Sequence, residues 1–144
     1  MAIWFHEETP SVASMNALTR DTAVSTLGIE FVEVGEDFLR ATMPVDSRTV
    51  QPFRILHGGA SVLLAETIGS QASFMCIDGS KYRCVGLDIN ANHIRGVTSG
   101  KVVGTGRPLH LGRTTHVWEI RIETEDGKLV CVSRLTMAII EARG

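Results

Sequence analysis

A chain of 144 residues suits one domain, large enough to bury roughly two-thirds of the surface its unfolded form exposes, and is too short for a second. With 14 Lys and Arg against 16 Asp and Glu, the formal charge of -2 gives no general attraction to nucleic acid or an anionic membrane surface, so the expected partner is a small molecule. The three cysteines, Cys76, Cys84 and Cys131, are odd in number, widely spaced and set among apolar residues. They read as reduced core thiols, not as a disulfide framework. The first residues lack a basic and apolar leader pattern, and no apolar run approaches the ~18 residues of a membrane span, so the expected compartment is the cytoplasm.

In chain order, residues 11–24 carry Val12, Met15, Leu18 and Val24 at helical spacing, with Ser11 or Ser14 as N-cap, and predict one short amphipathic helix. Residues 27–34 and 38–45 flank Gly35-Glu36-Asp37 and predict a β-hairpin. A loop over 46–56 leads to His57-Gly58-Gly59 and then to the longest helical pattern, residues 60–76, where Ala60, Leu63, Leu64, Ile68, Ala72 and Met75 recur at three- and four-residue steps. Strands are predicted over 82–94, 101–109, 116–123 and 129–140, with a turn at 110–113. Gly104 and Gly106 inside the second of these mark a bend or a close backbone approach. Two strands, one long helix and then further strands, without repeats or linkers, give α+β: an antiparallel sheet packed on one central helix.

Chemistry concentrates on that helix. Glu66 stands in its middle, where losing hydration costs several kcal/mol unless the acid is paired, so its presence asks for a reason. Ser70 and Ser73 follow at i+4 and i+7, and the three predict a polar stripe forming the wall of a site. Gly58 and Gly59 leave the first helical N–H groups accessible, a place for a polarised carbonyl oxygen; the competing reading is that the pair only lets the loop turn tightly. Eight residues of helix separate Gly58 from Glu66, a rise of roughly 12 Å, whereas a base or nucleophile must come within about 3.5 Å of the atom it attacks. Two antiparallel copies of the helix resolve the conflict, with Glu66 of one chain facing Gly58 of the other across a twofold dimer.

The stretch MPVDSRTVQPFRILHGGASVLLAETIGS, followed by VGLDINANHIRG and PLHLGR, resembles the hot-dog-fold acyl-CoA thioesterases over nearly the whole chain. The similar branch hydrolyses aromatic acyl-CoA esters, such as 1,4-dihydroxy-2-naphthoyl-CoA, or aryl-carrier-protein thioesters. The resemblance implies five or six antiparallel strands wrapped around the helix, dimers paired into a homotetramer, and neither cofactor nor metal. By position it makes Glu66 the catalytic carboxylate, acting as nucleophile or as base for water, and Gly58 N–H the grip on the thioester oxygen. Gln51 and His57 would orient water and assist the departing thiolate, with Ser70 beside the reacting centre. The CoA nucleotide would be held by Gly86, by His93, Ile94, Arg95 and Gly96, and by His110, Leu111, Gly112, Arg113, Thr114 and Thr115, with Arg95 and Arg113 meeting phosphates. Gln71 stands where relatives of different acyl preference differ.

Each of these residues has a plainer reading. Glu66 is otherwise a structural acid bonded to backbone, His93 a strand-edge histidine, His110 and His116 servants of the turn and sheet, and Arg113 and Arg134 solvated surface charge. HGGA without a following GxSxG, in so short a chain, does not make a lipase. Asp88 and His93 have the spacing of a hydratase pair, yet residues five apart on a strand point to opposite faces. A non-enzymatic acyl-CoA binding module is the third alternative. No HxxxH, HExxH or CxxC spacing suggests a metal site.

Overall fold

In the computed structural model, which describes residues 1–143, six strands form one antiparallel sheet in the order β1-β2-β4-β5-β6-β3. The elements are α1 (Val12–Leu18), α2 (Ala23–Thr26), β1 (Glu30–Val34), β2 (Leu39–Pro44), α3 (Gly58–Met75), β3 (Tyr82–His93), β4 (Lys101–Leu111), β5 (Thr115–Thr124) and β6 (Leu129–Glu141). The sheet curls around α3, as the hot-dog fold requires. Among the described residues, no helix is long and apolar enough to cross a membrane.

The single amphipathic helix expected over 11–24 is two. Ser11 caps α1, its hydroxyl accepting from Ser14 N–H at 3.1 Å, but Thr19 already ends that helix and Asp21 adopts a φ of 58°. Thr22 then caps α2 in a reciprocal pair with Ser25. Capping hydroxyls and one left-handed residue outweigh a continuous apolar spacing.

α3 approaches the sheet closely because β4 has no side chains where they would collide. A Cβ added at Gly104 would stand 2.6 Å from Ile68 Cδ1, and one at Gly106 2.7 Å from Ile68 Cγ2. The glycines therefore mark a close approach, and Leu64, Ile68 and Ala72 are fully buried against the strands. Leu64 and Ile68 each contribute about 1.5–3 kcal/mol by leaving water. Ser73 belongs to this buried face and not to the wall of a site: its hydroxyl accepts from Trp118 Nε1 at 2.7 Å and lies 3.1 Å from His116 Nδ1. With Trp118 an obligate donor, the serine hydrogen is free to point at His116 Nδ1, leaving that imidazole neutral.

Burial, and after it the neighbouring His110, holds His116 below the ordinary histidine value. The unfolded chain, with histidine near 6.5, takes up a proton that the native state resists. This contribution to stability is complete above about pH 6.5 and is lost as pH falls below it. The denaturant midpoint is therefore expected to drop between pH 7.5 and 5.5, and His116→Asn to flatten that drop; equal slopes in both proteins would remove His116 as its source.

The two sheet edges differ. On β1, the Asn16 side chain bonds both backbone groups of Phe31, donating to its carbonyl at 3.0 Å and accepting its N–H at 2.8 Å, so α1 occupies that edge at Phe31. The 12-residue β3 lies at the other edge, with no further strand paired to it among the described residues. Its pairing with β6 slips between Gly86 and Asp88, a bulge that makes Leu87 the extra residue. Before the bulge Cys84 and Gly86 face α3; after it Ile89, Ala91 and His93 do, as their buried partners Ile139, Met137, Leu135, Ser133 and Cys131 show.

Candidate active site

The approach to α3 is a tight loop. Gln51 N–H donates to Ile55 O at 2.9 Å, Arg54 N–H donates to Gln51 O at 2.8 Å, and Arg54 holds a φ of 66°. The Gln51 side-chain carbonyl accepts Phe53 N–H, which leaves its amide N–H groups without an acceptor among the described residues. His57 is the helix N-cap: its Nδ1 accepts Gly59 N–H at 2.8 Å, which places the imidazole proton on the exposed Nε2. Gly58 N–H has no acceptor among the described residues, so the helix begins with one unclaimed donor at its positive end.

Glu66 is half-buried in a groove of about 700 Å³ along the face of α3 turned away from the core. Val62, Leu63, Thr67, Ser70, Gln71 and Phe74 share that face, while Thr19, Ala23, Val24 and Phe31 close it from the side. Among the described residues, the Glu66 carboxylate has no hydrogen bond and no ion pair, and its oxygens are reachable by water, which sets aside a structural acid bonded to backbone. Ser70 stands one turn further, its hydroxyl 3.8 Å from Met137 Sδ. The groove's thiol, Cys84, is held protonated by burial, which raises it above the ordinary cysteine value, so it is a poor nucleophile beside an open carboxylate. Cys76 is pushed up to about 12, by burial first and by Cys84 second.

Gly58 opens on a different, smaller pocket of about 260 Å³, together with Ser61, His93, Ile94, Arg95 and Gly96. The His93 ring lies over Gly58, where an added Cβ would come within 2.9 Å of Nε2. The expected 110–113 turn is narrower: His110 and Leu111 still belong to β4, paired with Val117 and His116, and only residues 112–114 turn. That corner lies beside His116 and hence Ser73, roughly 22 Å of helix rise from Gly58. The structure therefore groups Glu66 with Ser70, and Gly58 with His93 to Gly96, and leaves His110 to Thr115 at the far end. Asp88 pairs with Thr136 on the face away from α3, so it does not converge with His93 as a hydratase pair would. No three His, Cys, Asp or Glu side chains converge as a metal site among the described residues.

The family model of the thioesterase superfamily matches residues 53–131, more than half of the chain. The chain belongs to the thioesterase superfamily. It is 51% identical to 1,4-dihydroxy-2-naphthoyl-CoA hydrolase of Escherichia coli, with 96% of this chain and 99% of that protein aligned. To the proofreading thioesterase EntH of Cronobacter turicensis it is 49% identical over 96% of its own length and 98% of the relative's. Among solved structures, a mutant of thioesterase PA1618 from Pseudomonas aeruginosa superposes with a TM-score of 0.95 at 51% identity, covering 98% of this chain and all of that one. Thioesterase HI1161 from Haemophilus influenzae gives 0.92 at 53%, covering 96% and 95%. This member of the superfamily is an enzyme that hydrolyses thioesters.

For such a thioesterase the groove residues missed in the sequence matter as much as those found. Val62, Thr67 and Phe74 fall on the face of Glu66 and Ser70 and were open to the same helical spacing; Val24 and Phe31 come from distant segments and carry no local signal. His57→Ala is expected to lower kcat about ten- to a thousandfold in a thiol-release assay, as for a group that orients and protonates without attacking. A kcat within twofold of the parent would take His57 out of the reaction.

Proposed function

We propose that this thioesterase hydrolyses aromatic acyl-CoA thioesters at a site shared by two protomers. The observation that carries the reading is the separation on one helix, by roughly 12 Å, of the Glu66 carboxylate from the Gly58 N–H, neither of which has a hydrogen-bond partner among the described residues. Pairing of the open β3 edges about a twofold axis would lay the two α3 helices antiparallel and bring each Glu66 to the partner's Gly58. The β1 edge, already occupied at Phe31 by Asn16, favours β3 for this role. The same pairing moves one chain's His110 to Thr115 toward the other's His93 to Gly96, so that Arg95 and Arg113 meet the CoA phosphates from two sides. Dimers pairing into a tetramer complete the assembly that the resemblance implies.

In this site Gly58 N–H and the helix dipole hold the carbonyl oxygen as it gains charge. Glu66 either takes a proton from water as that water attacks the carbonyl carbon, or attacks first and yields a mixed anhydride for water to cleave. In both routes the C–S bond breaks, and the CoA thiolate takes a proton from the His57 side of the pocket. The apolar wall of Val24, Phe31, Leu63 and Phe74 beside polar Gln71, together with the E. coli relative's name, supports a planar aromatic acyl group. A panel of aryl and fatty acyl-CoA esters tests this directly. Benzoyl- and naphthoyl-type esters are expected to give the highest kcat/KM, and a preference for long fatty chains would overturn the aromatic assignment.

A further inference from the structure

Without a polar partner among the described residues, the Glu66 carboxylate is placed by the shape of its surroundings. The strand beside it supplies that shape. Gly86 on β3 faces α3, and a Cβ built there would stand 3.2 Å from Glu66 Oε2 and 3.7 Å from Cδ, with Met137 Sδ at 3.9 Å. The backbone does not require glycine there: Gly86 has no positive φ, unlike Gly28, Gly100 and Gly127, and it sits within a strand, where glycine weakens pairing. Its missing side chain instead leaves a lane for the carboxylate. The bulge at Leu87 makes the lane coexist with the Gly58 pocket, because Gly86 and His93 are seven positions apart and would point to opposite faces of an unbroken strand.

We propose that Gly86 is a positioning residue for Glu66, keeping open the space in which its carboxylate reaches the thioester. The proposal rests on Glu66 being the acting carboxylate, and it differs from the nucleotide contact that the family resemblance gives Gly86. A methyl group at 86 meets the mobile end of a side chain and not backbone, so the fold is kept while the carboxylate moves by a few tenths of an ångström, enough to spoil an attack geometry.

The test is a double-mutant cycle on the full chain, with kcat and KM measured on one aryl-CoA ester and folding followed by thermal melting. Gly86→Ala is expected to lower kcat about tenfold, with KM within about twofold of the parent. In a Glu66→Asp background, where the shorter acid no longer reaches the methyl, Gly86→Ala is expected to cause no further loss. A raised KM at unchanged kcat would make Gly86 a nucleotide contact. Losses that multiply with Glu66→Asp, an unchanged kcat, or a Gly86→Ala protein that does not fold would each overturn the proposal. Near-normal turnover by Glu66→Gln, assayed beside the cycle on the same ester, would instead remove the reading of Glu66 beneath it.

Discussion

Glu66→Gln is expected to lower kcat by about three orders of magnitude or more, since neither a base nor a nucleophile remains where one is needed. The protein should stay folded and melt no lower than the parent. Glutamine fills nearly the same volume, and the exchange breaks no hydrogen bond or ion pair among the described residues. Binding should survive too, because the groove walls are untouched. Thiol release by Glu66→Gln within about tenfold of the parent would exclude Glu66 from the chemistry.

Mixing two inactive variants is expected to restore activity. Glu66→Gln lacks the acid; Gly58→Pro lacks the N–H, proline being tolerated at the first position of a helix. The proline ring also pushes aside His93, which lies at the same end of the pocket. If each site takes Glu66 from one chain and Gly58 from the other, random assortment of co-refolded chains leaves one site in four intact, and activity returns to about a quarter of the parent's. If both groups serve one site within one chain, every site carries a defect and none returns. Recovery of a few per cent or less would sink the shared site.

The helix and its acid were legible because periodicity and a misplaced charge are local signals. Leu64, Ile68 and Ala72 at helical spacing set the buried face, and Glu66 could not sit on it unnoticed. Ser73 misled, since spacing from Glu66 suggests a shared stripe while two donors or acceptors on β5, Trp118 and His116, draw it into the core. Partners that arrive from 40 residues away leave no mark on a local pattern. The same holds for the strand order, which puts β3 at the edge, and for the bulge at Leu87, which reverses the faces of the strand without any glycine or proline at the extra residue. The glycines of β4 were read correctly as punctuation, but only the packing of Ile68 separates a close approach from a bend.

Asn16 has a consequence for how far the sheet can grow. By answering Phe31 with a side-chain amide, it occupies backbone groups through which another strand would pair on the β1 side. If two copies pair through their β3 edges, each keeps only its β1 side, where Asn16 already answers Phe31. Growth of the sheet outward from β1 is thereby obstructed at Phe31, and exchanging Asn16 for a residue that cannot bond the backbone would free that position for pairing.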